Sequence, residues 1–375
     1  MHRENVAIKR KITVCLLLIA ASYGVYLWMT PYPPQQDLTQ QEEAVVETFL
    51  TAMQTRCVGR YLIDIPAAFA VESSHRAEDD NMTVFINDHP VRTQRIYPPA
   101  FEQKIRRREA QLNGEKTVVP LDMPFLKRKF PLPAGMVGVI FERNRSVSVP
   151  DSSRILEAHL YSNGVAVEIE VRTRNGLASK YDSDRKDYPE LYGNNVPQDL
   201  MALTELLKRI KGRNETDIPD RPGFCLRDAL IADGNYQQRE EITLHYTAPE
   251  YSNIILSFDT DNFNREKDSL LERGAEINQI IAAAEGNTLQ KGARNINGLY
   301  GEEWLVEGNG VNYPIQRVHR FALNVNEKTG GAKSPKLSML FRQEPLPDEQ
   351  LPPREAVAAW ERITSTLRLR PGAFK

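Results

Sequence analysis

The feature that most constrains this chain is a pattern of elements that occurs twice between residue 57 and the C-terminus. Each copy opens with a cysteine that leads into a short apolar run ending at an aspartate, first in 57–64 and again in 225–233. The offset between matched residues falls smoothly, from 168 positions at the cysteines to 156 at Pro197 and Pro353, as loops of different length would cause. The repetition predicts two similar halves, although two unrelated domains of mixed class could share it by chance.

Both copies contain the same order of predicted helices and strands. Apolar residues recur at helical spacing in the helices, and a glycine follows the first helix of each copy. The first copy has a helix at 101–112, strands at 136–143, 155–161 and 165–173, and a helix at 198–211; the second has a helix at 265–284, strands at 299–307, 318–325 and 337–341, and a helix at 354–367. Asn163-Gly164 is a strong hairpin signal.

This order predicts the α+β class. We expect two similar lobes, each an antiparallel sheet of about five strands with helices packed on one face, after an N-terminal transmembrane helix. The N-terminal lobe is predicted at residues 49–218 and the C-terminal lobe at residues 219–375.

The N-terminus predicts a membrane anchor. Residues 12–29 carry no charge, and 18 helical residues cover roughly 27 Å, close to the hydrocarbon thickness of a bilayer. The basic flank, residues 1–11, should stay in the cytoplasm, and the Pro- and Gln-rich residues 30–48 resemble a stalk. The expected location is therefore the inner membrane, single-pass, with the body in the periplasm. The alternative is a signal peptide cleaved near Ala20-Ala21-Ser22.

The cysteines add one candidate bond. Cys15 lies in the apolar run, and Cys57 and Cys225 lie in the body. An oxidising compartment would permit a Cys57–Cys225 disulfide, and two separately buried thiols are the alternative. No CxxC motif exists and the six histidines are scattered, so no metal site is expected.

The sequence contains no motif for catalysis. GxSxG, HExxH, P-loop and complete GxGxxG patterns are all missing, so we expect neither enzymatic activity nor a cofactor. The net charge of −2 gives no basic field for nucleic acid. No motif marks residues that would face a partner.

Three weaker features each have a structural alternative. Residues 259–264 resemble a calcium loop but lack its glycine, and a turn that caps a helix at Arg265 is favoured. His159 and His319 lie at loosely matching places in the two halves, which suggests a paired acid–base or ligand role. The alternative is that each histidine simply occupies a half-exposed position on a sheet. The basic run Lys104, Arg106, Arg107 and Arg108 could bind an acidic partner, or simply be a solvated helix face.

Two phrases carry a family resemblance. Thr55–Pro66, just after the anchor, and Arg221–Ile231, at the start of the second copy, resemble the openings of the two domains of type VI secretion immunity proteins cognate to the fourth class of lipase effectors. The similarity spans roughly residues 50–374. Gly59 and Asp64 match as turn and cap positions, and no contact residue can be carried over.

The resemblance implies a periplasmic immunity protein that binds a type VI secreted phospholipase effector. Members of that family are similar to a two-domain claw that grips the effector and blocks access to its active site. Two other functions stay open from the residues alone. One is an inner-membrane-anchored envelope scaffold or assembly protein without a toxin partner. The other is an envelope hydrolase whose site is assembled from distant residues.

Overall fold

The computed structural model of the chain describes residues 37–71, 82–235, 237–310, 313–344 and 351–375. Within these ranges the chain forms helices and large antiparallel sheets, so the predicted α+β class is confirmed.

The first half comprises, in chain order, α1 (Gln40–Phe49), β1 (Met53–Val58), β2 (Tyr61–Pro66), β3 (Ala70–Val71), β4 (Met82–Ile86), β5 (His89–Arg95), α2 (Pro98–Gly114), β6 (Leu126–Pro131), β7 (Val137–Asn144), β8 (Ser153–Ser162), β9 (Val165–Arg174), α3 (Asp182–Asp187), α4 (Val196–Lys208) and β10 (Ile210–Gly212), with 3-10 turns at Pro120–Asp122 and Ser179–Tyr181. The predicted stalk, residues 30–48, overlaps α1 from Gln40 onward.

The second half comprises β11 (Gly223–Cys225), β12 (Ala229–Ala232), β13 (Glu240–Ala248), β14 (Tyr251–Asp261), α5 (Gly274–Ala283), β15 (Asn287–Ile296), β16 (Leu299–Gly310), β17 (Tyr313–Val325), β18 (Lys336–Gln343), α6 (Pro353–Ser365) and β19 (Arg368–Leu369). The order of elements from β11 onward repeats that of the first half.

Local turn chemistry fixes two hairpins of the first half. Asn163 and Gly164 join β8 to β9 with φ of +48° and +81°, and Asn87 and Asp88 join β4 to β5 with φ of +50° and +64°. Two consecutive residues with positive φ match the right-handed twist of the flanking strands, and Asn, Asp and Gly tolerate this conformation best. The hairpin predicted at Asn163-Gly164 therefore forms with the expected turn.

The strands of the two halves join into one antiparallel sheet. Its order in the described chain is β15-β16-β17-β18-β14-β13-β4-β5-β9-β8-β7-β6, and β3 also pairs with β13. The halves meet where β4 pairs with β13, as in Val84 opposite Ile242. The prediction of two separate sheets of about five strands was wrong: each half supplies six strands to the ordered path. The outer strand of each central hairpin would otherwise be an open edge, and pairing the two edges removes both.

The halves also exchange their last strands. β10, which follows closing helix α4, pairs with β12 in the opening hairpin of the second half. In return β19, which follows closing helix α6, pairs with β2 in the opening hairpin of the first half. Each small three-stranded sheet is thus completed by the other half of the chain.

Helices cover both faces of the large sheet, so the prediction of helices on one face was wrong. α4 and α6 lie on the core face, where Trp360 packs its ring against Phe321 and Phe341. The opposite face carries α2 and α5, and there Phe101 of α2 packs against Tyr161. Sequence periodicity shows that a helix has one apolar side but not which face of the sheet receives it.

The inner-membrane, single-pass location is corrected. In the ranges that the structure describes, no helix is long and apolar enough to cross a membrane. The predicted anchor, residues 12–29, and its basic flank, residues 1–11, lie outside the described residues. The described residues therefore give no support for the inner membrane as a partner of the chain.

Candidate functional site

In the part of the chain that the structure describes, helices cover the two ends of the sheet face opposite the core. α2 packs against β6 and β8, and α5 packs against β15 and β16. The strands between them alternate buried residues on the core face with half-exposed or exposed residues on the other. We call these outward residues the open sheet face: Phe85, Arg92, Glu168, Glu170, Glu241, Thr243, His245, Ser257, Asp259, Leu340 and Arg342.

Charges of both signs lie on the open sheet face. Glu241 and Asp259 occupy its centre, and Arg92 and Arg342 lie toward opposite sides. Partial burial and the neighbouring Asp259 raise the pKa of Glu241. Burial, and then the charge of Arg342, lower the pKa of His245, so its ring is neutral at pH 7. The arrangement offers acceptors in the middle and donors at the sides.

A polar cleft of about 590 Å³ separates α2 from the sheet at one margin of this face. Glu157 lies at its floor and accepts two hydrogen bonds from Arg108, at 2.6 and 2.7 Å, and one from His159 Nε2 at 2.9 Å. The buried Arg143 guanidinium also contacts Glu157. Burial opposes ionisation, but these donors hold the pKa of Glu157 well below its usual range. The cleft is therefore built on a fixed anion.

A second cleft, of about 430 Å³, lies at the matching margin in the second half. Glu327 accepts hydrogen bonds from the Leu270 N–H at 2.7 Å and from Arg273 at 2.6 Å. Burial nevertheless raises the pKa of Glu327. The first cleft is lined by α2 itself, whereas the second is lined by residues of β13, β14, β17 and β18 and by Glu266 and Arg273 from the segment before α5.

The structure joins the two candidate cysteines by a disulfide. Cys57 in β1 and Cys225 in β11 have Cα atoms 5.8 Å apart. Gly59 and Cys225 also exchange backbone hydrogen bonds of 3.0 and 2.8 Å. The bond thus connects the opening hairpins of the two halves at matching positions.

The two candidate histidines are buried and lie in different halves. His159 belongs to the first cleft, whereas His319 in β17 shares a 2.8 Å hydrogen bond with Gln343 in β18. They are not brought together, so a paired role is not supported. Burial rather than half-exposure explains both positions.

The basic run on α2 divides between cleft and solvent. Lys104 contacts Glu168, Arg108 binds Glu157, and Arg107 lines the cleft, while Arg106 pairs with Glu102 on the exposed side. The partners of Arg108 and Lys104 lie on strands 49 and 64 residues further along the chain, which sequence reasoning missed. The available signal was the i, i+4 spacing of Lys104 and Arg108.

Residues 259–264 form the end of β14 and the bend after it, not a helix cap. Asp261 Oδ1 accepts hydrogen bonds from the N–H groups of Phe263 and Asn264, at 3.1 and 2.7 Å. The helix predicted from Arg265 begins only at Gly274. Across the described ranges, no group of three His, Cys, Asp or Glu residues is arranged to hold a metal ion.

One serine lies close enough to a histidine to resemble an activated nucleophile. His245 Nδ1 and Ser257 Oγ lie 2.8 Å apart, directly opposite each other on β13 and β14. Acyl transfer also needs N–H donors for the developing oxyanion. Both strands are paired on each side, so their N–H groups are used in the sheet. This geometry suits a binding surface.

Comparisons with known proteins agree with this fold. The apo structure of the immunity protein TplEi of the type VI secretion system from Pseudomonas aeruginosa matches with a TM-score of 0.67 and 22% identity, over 87% of this chain and 99% of that one. A Tle4–Tli4 complex matches with a TM-score of 0.67 and 21% identity, over the same shares. TplEi from P. aeruginosa complexed with "L" peptide matches with a TM-score of 0.62 and 22% identity, over 86% and 99%. A comparison with curated proteins gives no match.

Family models identify both halves. The N-terminal domain of Tle cognate immunity protein 4 matches residues 54–213, and the C-terminal domain matches residues 217–372. The two matches follow each other without overlap and cover most of the chain. The chain therefore belongs to the Tle cognate immunity protein 4 family.

Proposed function

We propose that this protein acts in the periplasm, where it binds a type VI secreted phospholipase effector and occludes its active site, and so protects the producing cell. The observation that carries the proposal is the match of both halves to the two domains of one immunity family. A solved neighbour with the same fold is a complex between Tle4 and Tli4. Because the family consists of immunity proteins, the prediction that the chain is not an enzyme is confirmed.

The open sheet face supports occlusion as the mode of action. It lies between α2 and α5, so a bound protein would contact both halves at once. Linked contacts of this kind strengthen binding, because the second half engages at high effective concentration. The halves are also joined by a paired sheet, exchanged strands and a disulfide. Their relative orientation is therefore already fixed, and little conformational entropy would be lost on binding.

The disulfide supports the periplasm as the place of action. Disulfides persist in oxidising compartments and are rare in the cytosol. Cys57 and Cys225 are both buried, so the bond is protected from small thiols once formed. An effector that attacks phospholipid from the periplasmic side would meet its inhibitor there.

Co-expression with the cognate phospholipase effector, directed to the periplasm, tests the proposal. We expect survival of cells that carry the full protein, and a one-to-one complex on a sizing column. Cells that die equally with and without it, and a mixture that elutes as separate proteins, would favour the scaffold function instead.

A charge reversal tests the surface. Arg342→Glu on the open sheet face should weaken effector binding by about tenfold or more, because an interface donor becomes an acceptor. Lys208→Glu, on α4 at the core side of the sheet and similarly exposed, is the matched control and should bind as the unchanged protein does. Equal losses in both variants would argue against this face.

A further inference from the structure

One end of the N-terminal half exposes an unusual group of large apolar side chains. They belong to two loops, one between α2 and β6 and one between β9 and α4. Leu121 is 75% exposed and Val118 is 71% exposed. We call the group the apolar tip: Val118, Val119, Leu121, Leu177, Tyr188 and Leu191. Monomeric proteins rarely expose apolar groups together unless they bind something there.

Buried charges fasten the two loops to each other. Lys180 donates a 2.8 Å hydrogen bond to the Leu121 carbonyl and ion-pairs with Asp151 at 2.7 Å. Asp151 also accepts hydrogen bonds of 2.8 Å from Lys127 and from the Tyr181 hydroxyl. Although burial opposes ionisation, these donors keep the pKa of Asp151 well below its usual range.

The fastening shapes the tip for a protein partner. Loops that are already held in one conformation lose little entropy on binding, so exposed apolar side chains on them contribute more affinity. Ring packing of Tyr181 against Tyr192, at 5.3 Å between centroids, anchors the second loop beside Tyr188 and Leu191. Loops whose only task was to connect strands would not need this support.

The neighbouring charges argue against a membrane as the occupant. Four carboxylates, Asp182, Asp184, Asp187 and Glu190, surround Tyr188 in the sequence. Of the bases nearby, Lys180 and Arg185 are already paired with carboxylates of the protein. An anionic phospholipid surface attracts basic segments and would be repelled here.

We propose that the apolar tip docks on the lipid-facing rim of the effector's active site. A lipase must admit acyl chains, so the surface around its entrance is apolar and complements such a tip. β9, which carries Glu168 and Glu170 of the open sheet face, runs directly into the loop with Leu177, so the tip lies beyond the end of a strand that contributes to that face. This inference rests on the proposed function and assigns one part of its interface.

Binding to immobilised effector tests it with the full-length protein. The double variant Leu121→Ser, Tyr188→Ser should bind at least about 30-fold more weakly, as loss of buried anchors does in other interfaces. Met201→Ser, with a residue 65% exposed on α4, is the control and should stay within about twofold. Lys180→Met keeps every tip side chain but frees the loops, and should cost about fivefold. Thermal unfolding of each variant checks the fold.

The outcomes separate this inference from the proposed function. Failure of the unchanged protein to bind effector would refute the function itself. Binding by the double variant as tight as that of the Met201 control would refute the tip alone. If the unchanged protein floats with phosphatidylethanolamine–phosphatidylglycerol vesicles and the double variant does not, a membrane occupies the tip instead. If the unchanged protein elutes as a dimer on a sizing column and the double variant elutes as a monomer, a second copy occupies it.

Discussion

Single buried carboxylates position much of the first half. Glu157 lies beneath α2 and joins a helix residue, Arg108, to two strand residues, Arg143 and His159. Both strand partners are buried and share this one carboxylate, and Arg143 has a second ion pair with Glu170 at 3.1 Å. A carboxylate in such a position fixes the distance between helix and sheet and hence the width of the cleft.

Glu157→Gln should therefore destabilise the protein strongly. The substitution keeps the shape but removes the buried charge that Arg143 and Arg108 share, leaving Arg143 only its pair with the less buried Glu170, and breaking such a buried pair costs about 3 kcal/mol of unfolding free energy. Glu102→Gln removes an exposed carboxylate from α2 and should change it by less than about 0.5 kcal/mol. Urea denaturation of both variants measures the difference. Equal midpoints would show that Glu157 does not hold the helix.

Acid should weaken the same half of the molecule. The pKa values of Glu157 and Asp151 are depressed in the folded state, so their stabilisation is full above the unfolded pKa and is lost as pH falls toward the folded value. The free energy of unfolding should decline below about pH 4. Asp151→Asn should flatten that decline, as followed by denaturation at a series of pH values. An unchanged slope would contradict the assignment.

The Cys57–Cys225 bond is expected to persist in protein from the periplasm. Both residues should resist alkylation without reductant, as mass spectrometry would show. A cross-link across 168 residues stabilises by roughly 5 kcal/mol in the chain-entropy estimate. Cys57→Ser with Cys225→Ser should lower the unfolding free energy by a sizeable part of that amount. Two alkylated thiols in native protein would count against the bond.

Single residues could be singled out from the sequence only where they occupy matched places in the repeated pattern. The two cysteines stand out because they occupy matched places in a repeated phrase. Glu157 could not be singled out, because its partners lie on β7 and α2 and nothing local links them. Glu168 likewise has no distinguishing signal, since it simply alternates with apolar residues along β9, yet Lys104 and His159 both approach it.

At the scale of elements, helices and hairpins followed from periodicity and turn residues, whereas strand partners did not. α2, α4, α6 and the β8–β9 hairpin all form where the sequence indicates them. The start of α5 was misplaced because residues 265–273 are fixed by tertiary contacts such as that between Leu270 and Glu327. The exchange of β10 and β19 depends on which edges lie close together in the folded chain, which no local pattern records.

The exchanged strands predict that neither half folds alone. A chain of residues 49–218 lacks β19, so β2 would have an open edge, and β4 would lose its pairing with β13. We expect it to be unfolded or aggregated, with fast amide exchange in β1 and β2. Truncation after Leu367 in the full protein should raise exchange in the same strands. A stable, monomeric half would show that the exchange is dispensable.

At the scale of the whole molecule, the two halves form one continuous sheet. The sequence correctly indicated two related halves but not that their sheets would be continuous through β4 and β13. That continuity places α2 and α5 on the same face and leaves the open sheet face between them. Solved structures at 21–22% identity share the architecture along nearly their whole length, so the fold tolerates extensive change in sequence.

Titration of the effector's phospholipase activity with this protein tests the central claim most directly. If the protein occludes the active site in a tight one-to-one complex, hydrolysis should fall linearly as protein is added and cease at equimolar ratio. A dissociation constant on the order of 1 nM makes the end point of the titration sharp. The Arg342→Glu variant should shift or blur that end point, and the Lys208→Glu variant should reproduce it. Hydrolysis that continues unchanged in the presence of excess protein would contradict immunity by occlusion.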